Sequence, residues 1–449
     1  MAGFIALLRS GAFLTRERVR LVAFFVLAAS LVGLVYLGAG ASGPNDSHGR
    51  PLGTDFASFY AAGTLVRDGL AAQAFDQAVH FDREQAIFGP ATQYYAFQYP
   101  PVFLLVAGAL AALPYVPALI VWQLATLLLY LATIHAILKT PSWPGLSRPS
   151  TTALMIQEQD VDARPKPGHD EEKAGRAPDR LWLLLALAFP AVFINLGHGQ
   201  NGFLTVALFA GALAVLDRRP LVAGILIGLM IYKPQFGLMI PMVLIATGRW
   251  RVIFAAAATV VALLLVTLIA FGPDVWPAFM ASMTFTRIVL LEQGDVGFFK
   301  MQSVFAWVRL WGGGVTLAYV IQSLVTLSVA AALVWFWRSA ARYPLKASAL
   351  LIGTLLATPF CLDYDLMLLA PAIAFLAIDG NRDGYCAWHK LVLAALWLVP
   401  LIARSVAEAV SVPLAAPVMI LAFLFVLQRA MSGSSGLESD GAMTGDGLK

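Results

Sequence analysis

The feature that most constrains this fold is a near-continuous series of apolar runs. Hydrophobic residues make up 59% of the chain and charged residues 12%, whereas about 25% of residues are charged in an ordinary soluble domain. The sequence therefore predicts an all-α polytopic membrane protein with about 12 transmembrane helices, at about 20 apolar residues each. The expected crossings lie near 21–41, 116–138, 181–196, 202–216, 221–232, 235–247, 252–272, 313–337, 347–360, 366–379, 391–408 and 412–428.

Basic residues indicate the orientation of these helices, because lysine and arginine concentrate on the cytoplasmic side of a membrane. With both termini in the cytoplasm, 22 of the 30 lysines and arginines fall in cytoplasmic segments. If 102–113 crossed the membrane and 221–247 formed a single crossing, the basic 140–180 segment would lie outside. That position would conflict with the cytoplasmic preference of lysine and arginine. We therefore interpret 102–113 as a helix at the membrane surface. The net charge of +4 is too small and too scattered for a nucleic-acid surface.

One transmembrane domain is expected over residues 1–431, with two large outer loops at 42–100 and 273–312 that form the functional site. The segment 140–180 is rich in Pro, Gly, Ser and mixed charge, which indicates a disordered cytoplasmic insertion. The polar end, 432–449, is expected to be a disordered tail.

The first outer loop contains a predicted amphipathic juxtamembrane helix near residues 53–63. In a helix, Phe56, Phe59, Tyr60 and Gly63 share one face, which suits a helix that lies on the bilayer. Asp55 stands at the start of this helix. Two interpretations of Asp55 stay open, a helix cap and a catalytic carboxylate. The aromatic stretch 94–101, which includes Tyr99, either anchors the loop at the interface or contributes to a site.

Polar residues also interrupt the apolar runs farther along the chain. His198, Gln200 and Asn201 lie between two runs at the predicted outer face, and Lys233 precedes a proline between two short runs. An ionisable residue in such a position is a functional candidate by default. The alternatives are a lysine that extends to the outer headgroups and a histidine that is hydrogen-bonded within a loop.

The second outer loop combines cations with aromatic residues. Arg287 and Lys300 are accompanied there by several phenylalanines, a combination that suits a lipid phosphate but is also found in loops that anchor at headgroups. Asp363 and Asp365 lie at the next outer turn. Without a histidine at ligand spacing, this pair is a weak signal for a metal.

Taken in order, several of these short motifs resemble glycosyltransferase family 87, a group of enzymes with the GT-C membrane fold that includes polyprenyl-phosphate-mannose-dependent mannosyltransferases. The likeness spans about 21–427 apart from the 140–180 segment, and it rests on the order of the motifs. They are Asp55-Phe56 with Phe59-Tyr60 and Gly63, Tyr99-Pro100-Pro101, Gly199-Gln200-Asn201, Lys233-Pro234-Gln235, and Thr358-Pro359 with Tyr364-Asp365.

This resemblance implies an inverting hexosyltransferase in a bacterial inner membrane, with a periplasmic site. The implied donor is a polyprenyl-phosphate sugar, mannose first, and the implied acceptor is a lipid or a glycan. Asp55 would be the general base, the Phe and Tyr face would hold the isoprenoid chain, and Lys233, Arg287 and Lys300 would bind the donor phosphate. The residues implied for sugar or acceptor binding are Tyr60, Tyr99, His198, Gln200, Asn201 and Asp365.

Other possibilities stay open at this point. Metal-dependent enzymes of this fold pair two acids in the first loop, but Ala57 stands two residues after Asp55, so no metal or other cofactor is expected. Rival classes are a transporter or flippase for a lipid-linked saccharide, with a midplane site at Lys233, and a non-catalytic assembly subunit. Other acids of the same loop remain alternatives to Asp55, namely Asp46, Asp68, Asp76, Asp82 and Glu84.

Overall fold

The computed structural model describes residues 2–139 and 180–442, with side chains described up to Met431. Within these ranges the chain forms helices and no β-strand, as the apolar pattern predicts. The predicted disordered insertion, 140–180, falls on residues outside this description apart from Arg180. Of the predicted disordered tail, residues 432–442 continue the last helix and residues 443–449 fall outside the described residues. The disorder of the insertion and of the rest of the tail stays a prediction.

The described residues form nineteen α-helices, joined by short 3₁₀ segments and one π-helical segment, Thr286–Glu292. The helices are α1 (Ala2–Ser10), α2 (Arg16–Ala39), α3 (Thr54–Arg67), α4 (Gln77–Phe88), α5 (Val102–Leu110), α6 (Tyr115–Lys139), α7 (Arg180–Leu187), α8 (Pro190–His198), α9 (Gly202–Val215), α10 (Pro220–Leu229), α11 (Met239–Ala246), α12 (Trp250–Phe271), α13 (Val275–Phe285), α14 (Val304–Leu310), α15 (Val315–Arg338), α16 (Tyr343–Ala357), α17 (Leu369–Asp383), α18 (His389–Val410) and α19 (Ala415–Ala442).

Five of these helices are long and apolar enough to cross a membrane, namely α2, α6, α12, α15 and α18. The pair α7 and α8, bent by 42°, is a sixth candidate span. Shorter apolar helices account for most of the remaining predicted crossings. Several apolar helices thus fit a multi-pass membrane protein, while the total of about 12 crossings remains a prediction.

The predicted surface helix corresponds to α5, which has 9 residues. At 1.5 Å per residue it extends about 14 Å, roughly half of the hydrocarbon thickness of about 30 Å. It packs against α3 so closely that a Cβ added to Gly63 would lie 2.1 Å from the carbonyl oxygen of Ala107. The two helices therefore pack as one unit.

The aromatic face of α3 differs from the expectation. Phe56 and Phe59 are 0% and 1% exposed, and their rings contact Tyr115 and Tyr99 respectively, with centroids 5.5 and 5.2 Å apart. This face is therefore covered by protein and does not lie on the bilayer. The expectation from sequence was wrong because helical periodicity identifies an apolar face without identifying what covers it.

Candidate active site

A cavity of about 700 Å³ opens between the two loops that the sequence places on the outer side. Its walls come from the first turn of α3, the 93–100 segment, the turn after α8, the break at Lys233, α13 with the π-helical segment, and residues 358–365. These parts of the chain are far apart in sequence. Of the predicted site residues, the cavity wall contains Asp55, Tyr99, His198, Gln200, Lys233, Lys300 and Asp365.

Asp55 is held at the cavity by the meeting of two backbone turns. Gly53, with φ of 65°, precedes α3, and Gly199, with φ of 64°, ends α8. The turns approach so closely that a Cβ on Gly199 would lie 2.5 Å from the Cβ of Phe56. His198 Nδ1 consequently lies 2.8 Å from Thr54 Oγ1 and 3.9 Å from Asp55 Oδ1.

The side chain of Asp55 does not cap α3, since that helix start has no side-chain cap hydrogen bond. Its carboxylate is instead oriented by Gln200. Gln200 Nε2 donates to Asp55 Oδ2 at 2.8 Å, while Gln200 Oε1 accepts from the Tyr99 hydroxyl and from the Asn201 backbone N–H, each at 3.1 Å. With both acceptor positions of the amide oxygen used, the amide NH₂ must face the carboxylate.

The other acids of the first loop have different surroundings, and none of them lines the cavity. Asp46 accepts backbone hydrogen bonds from His48 and Arg50, and Asp76 caps α4. Asp68 pairs with Arg83, with the two side chains 53% and 25% exposed. Asp82 is exposed and Glu84 is fully buried. The cavity therefore selects Asp55 from the six acidic residues of this loop.

Lys233 lies between two 3₁₀ segments, Met230–Tyr232 and Pro234–Gly237, where the helical chain is broken. Its Nζ donates to Asp365 Oδ1 at 2.7 Å, and the two side chains are 4% and 3% exposed. Asp365 Oδ2 accepts from the backbone N–H of Leu362 at 3.0 Å. The charge of Lys233 is thus balanced by a buried carboxylate that is itself fixed to the backbone.

Lys300 differs from Lys233 in having no such partner. Among the described residues, no carboxylate oxygen lies within 4.0 Å of its Nζ. Burial lowers the pKa of Lys300 from its ordinary value, and the nearby positive charge of Arg404 lowers it further. Lys300 is therefore a cation at the cavity wall that is available to an anion.

Asp363 also lines the cavity, and sequence reasoning did not include it among the site residues. Its carboxylate lies 3.6 Å from the guanidinium of Arg404 on α18. Burial raises the pKa of the Asp363 carboxyl, and the neighbouring His198 and Arg404 side chains oppose this rise. Arg404 was also missed, although a charged residue within the apolar run 391–408 was a visible signal.

Three predicted site residues lie outside the cavity wall. The Tyr60 hydroxyl donates to the carbonyl oxygen of Leu113 at 2.9 Å. Asn201 is fully buried behind Gln200. Arg287 is 62% exposed and pairs with Glu292 at 3.6 Å.

Aromatic and apolar side chains form the remaining walls of the cavity. Tyr94 and Tyr95 lie on one side, and the backbone N–H of Tyr95 donates to the buried carboxylate of Glu84 at 3.0 Å. Burial raises the pKa of Tyr95 to about 12, so its hydroxyl is neutral near pH 7. Phe279 and Leu290 lie on the opposite loop. The cavity therefore combines charged groups, neutral hydroxyls and an apolar wall, as a ligand with both polar and apolar parts requires.

Comparison with known proteins identifies one family. The profile of glycosyltransferase family 87 matches residues 97–359, which is more than half of the chain. Short stretches are similar to error-prone DNA polymerases of Rhodopseudomonas palustris: strain BisA53 is 59% identical over 46 residues, 10% of this chain, and strain CGA009 is 52% identical over 48 residues, 11% of this chain. The chain spans 4% of the length of each polymerase. No solved structure matches the chain significantly.

Proposed function

The chain belongs to glycosyltransferase family 87, and from this premise we propose that it transfers a hexose, mannose first, from a polyprenyl-phosphate donor to a lipid or glycan acceptor. The proposed architecture is GT-C, in a bacterial inner membrane. Both termini are then cytoplasmic and the cavity faces the periplasm, an orientation supported by the 22 of 30 basic residues in the predicted cytoplasmic segments.

The observation that carries this proposal is the position of Asp55. Its carboxylate lines the cavity and is oriented by Gln200. In the proposed reaction an acceptor hydroxyl oxygen forms a bond to the anomeric carbon, on the face opposite the phosphate, and Asp55 takes the hydroxyl proton. The bond between the anomeric carbon and the phosphate oxygen breaks, and its electron pair leaves with the phosphate. The anomeric configuration is therefore inverted.

One carboxylate is sufficient for this chemistry. A glycosidase needs a second carboxyl group as an acid, because its leaving group is an alkoxide that must be protonated. A phosphate leaves as a stable anion and needs positive charge instead. This argument supports a site without a resident metal or other cofactor.

We assign the first contact with the donor phosphate to Lys300, because its ammonium has no carboxylate partner among the described residues. The ammonium of Lys233 is paired with Asp365, so its proposed contribution is to the field of the site and to its shape. Arg287 lies outside the cavity wall and pairs with Glu292. A role for Arg287 in donor binding would require the second outer loop to move.

Sugar and acceptor hydroxyls are proposed to meet His198, Gln200, Tyr99 and Asp365, which all line the cavity. Their donor and acceptor atoms suit hydroxyl groups. The apolar wall at Phe279 and Leu290 is proposed to take the isoprenoid chain, in place of the aromatic face of α3, which is buried by protein.

A reconstituted transfer assay tests this function. The purified protein in liposomes is given radiolabelled polyprenyl-phosphate mannose, polyprenyl-phosphate glucose or GDP-mannose, together with a lipid and glycan extract as acceptor. The expected result is a labelled product of inverted anomeric configuration from a lipid-linked donor and none from the nucleotide sugar. Transfer from the nucleotide sugar alone would contradict the donor class, and movement of the lipid-linked sugar across the bilayer without transfer would favour the flippase.

A further inference from the structure

Arg404 is a charged residue in a helix that is otherwise suited to crossing a membrane. It lies in α18, one of the five candidate spans, and its side chain is 36% exposed. A charged side chain within a span is costly unless it is paired or has a function. No step of the proposed reaction uses Arg404.

The carboxylates near Arg404 are at long distances. Asp363 Oδ2 lies 3.6 Å from its Nη1, and Glu408 Oε1 lies 3.9 Å from its Nε. Among the described residues its guanidinium makes no hydrogen bond of 3.5 Å or less. A guanidinium has five N–H donors and binds oxyanions best with two of them in parallel. The donors of Arg404 are therefore largely unused.

Arg404 and Lys300 both contact the same aromatic ring, that of Phe299. The guanidinium carbon of Arg404 lies 5.5 Å from the centroid of Phe299, and Lys300 Nζ lies 6.0 Å from it. The positive charge of Arg404 lowers the pKa of Lys300, in addition to the larger effect of burial. Lys300 and Asp363 line the cavity, whereas Arg404 does not and lies behind them, 3.6 Å from the Asp363 carboxylate. Two neighbouring cations repel each other until an anion lies between them.

We propose that Lys300 and Arg404 form one anion site for the phosphate of a polyprenyl phosphate, and that Asp363 pairs with Arg404 while the site is empty. This inference rests on the proposed function, because it deepens the donor site of the transferase. Lys300 contacts the phosphate from the second outer loop and Arg404 contacts it from α18. Leu290 and Leu291 in the same cavity wall suit the apolar chain that carries the phosphate.

The role proposed for Asp363 predicts the direction in which its mutation changes the affinity for phosphate. A carboxylate that only orients Arg404 would strengthen phosphate binding. A carboxylate that competes with the phosphate for Arg404 would weaken it. The Asp363→Asn variant keeps the shape of the side chain and an oxygen for the backbone N–H of Tyr364, which Asp363 Oδ1 accepts at 2.9 Å. Competition therefore predicts tighter phosphate binding in this variant.

The test measures the dissociation constant of fluorescently labelled undecaprenyl phosphate for the full chain in nanodiscs of neutral lipid. Arg404→Gln and Lys300→Gln are expected to weaken binding by about 10- to 100-fold each, as for a hydrogen bond to a charged group. Asp363→Asn is expected to tighten it by about two- to fivefold, as for a partly exposed ion pair. Arg83→Gln is the matched control, because Arg83 pairs with exposed Asp68 away from the cavity, and wild-type affinity is expected.

Two further ligands identify the source of the phosphate. Undecaprenol, which lacks the phosphate, is expected to bind with an affinity independent of Arg404, and inorganic phosphate is expected to compete only at far higher concentration. Unchanged binding of undecaprenyl phosphate by an Arg404→Gln variant that retains the wild-type unfolding temperature would overturn the proposal. Equal or weaker binding of undecaprenyl phosphate by Asp363→Asn would show that Asp363 does not compete with the phosphate for Arg404.

This experiment separates the inference from the proposed function. If undecaprenyl phosphate binding depends on Arg404 while no sugar is transferred from any donor, the anion site stands and the transferase fails. If sugar is transferred while neither Arg404→Gln nor Lys300→Gln changes undecaprenyl phosphate binding, the transferase stands and the anion site fails.

Discussion

At the scale of single residues, the site depends on which charges have partners. Lys233 and Lys300 both line the cavity, and from sequence Lys233 was the leading candidate for the donor phosphate, with Arg287 or Lys300 beside it. Lys233 is paired with a carboxylate 2.7 Å away, whereas Lys300 is next to another cation. Residue type alone therefore did not distinguish a structural cation from one that is available to a ligand.

The lowered pKa of Lys300 predicts a pH dependence of donor affinity. Burial, and secondarily Arg404, place this pKa below the ordinary 10.5, so the ammonium loses its proton at a lower pH than an exposed lysine. Donor affinity is therefore expected to fall as pH rises through the lowered pKa. Lys300→Arg keeps its charge throughout, because the arginine pKa is above about 12, and should remove this fall. The measurement is the donor KM from about pH 7 to about pH 10 for both proteins; identical profiles would exclude Lys300 as the titrating group.

Gln200 provides a second test at this scale. Replacing it by Leu removes the hydrogen bond to Asp55 Oδ2, and a hydrogen bond to a charged group is worth about 1.5–3 kcal/mol. The expected result is a loss of kcat of about 10- to 100-fold, larger than any rise in donor KM from the proposed contact of Gln200 with sugar hydroxyls. Gln85→Leu is the control, because Gln85 lies on the surface of α4 and donates to the carbonyl oxygen of Pro90. A change in KM alone would mean that Gln200 binds the donor and does not orient Asp55.

At the scale of elements, two close contacts hold the cavity walls together. The break at Lys233 is tied to the 3₁₀ segment Asp363–Leu368 by the ion pair with Asp365. The helix α3, whose first turn contains Asp55, packs closely on α5 at Gly63. Both contacts can be tested by their effect on stability as well as on transfer.

The buried ion pair predicts an asymmetric effect of mutation. Lys233→Met leaves the carboxylate of Asp365 buried without a cation, which costs about 3–5 kcal/mol. The double variant Lys233→Met with Asp365→Asn removes that charge as well. It should recover much of the lost free energy of unfolding. The measurement is the free energy of unfolding in detergent, from the unfolding midpoint and slope in denaturant. If Lys233→Met were as stable as the wild type, the ion pair would not stabilise the helix break at Lys233.

The contact between α3 and α5 predicts an effect of adding a single methyl group. Gly63→Ala would place a Cβ 2.1 Å from the carbonyl oxygen of Ala107, and overpacking of this kind costs about 1–3 kcal/mol. A lower unfolding temperature and slower transfer are expected, because Asp55 moves with α3. Gly38→Ala is the matched control, since nothing lies within 4 Å of a Cβ at that position. Equal behaviour of the two variants would contradict the close packing.

At the scale of the whole molecule, the sequence predicted the helical architecture because apolar runs record it directly, as the five long candidate spans illustrate. It also predicted several cavity residues, since Asp55, His198 and Lys300 all lie at polar breaks assigned to one side of the membrane. Pairings between distant residues were not predictable. Lys233 and Asp365 are 132 positions apart, and local patterns contain no information about such contacts. The covering of the α3 aromatic face and the approach of Arg404 to Asp363 escaped prediction for the same reason.

The central claim is that this cavity is a transferase site in which Asp55 is the base. The most direct test is the rate of hexose transfer from a polyprenyl-phosphate donor in Asp55→Asn, together with the dissociation constant of that donor. Asp68→Asn is the matched control, a carboxylate of the same loop that is 53% exposed and outside the cavity. We expect Asp55→Asn to lose about 100- to 10,000-fold in transfer rate and still to bind the donor, while Asp68→Asn is unchanged. Transfer at the wild-type rate by Asp55→Asn would show that Asp55 is not the base.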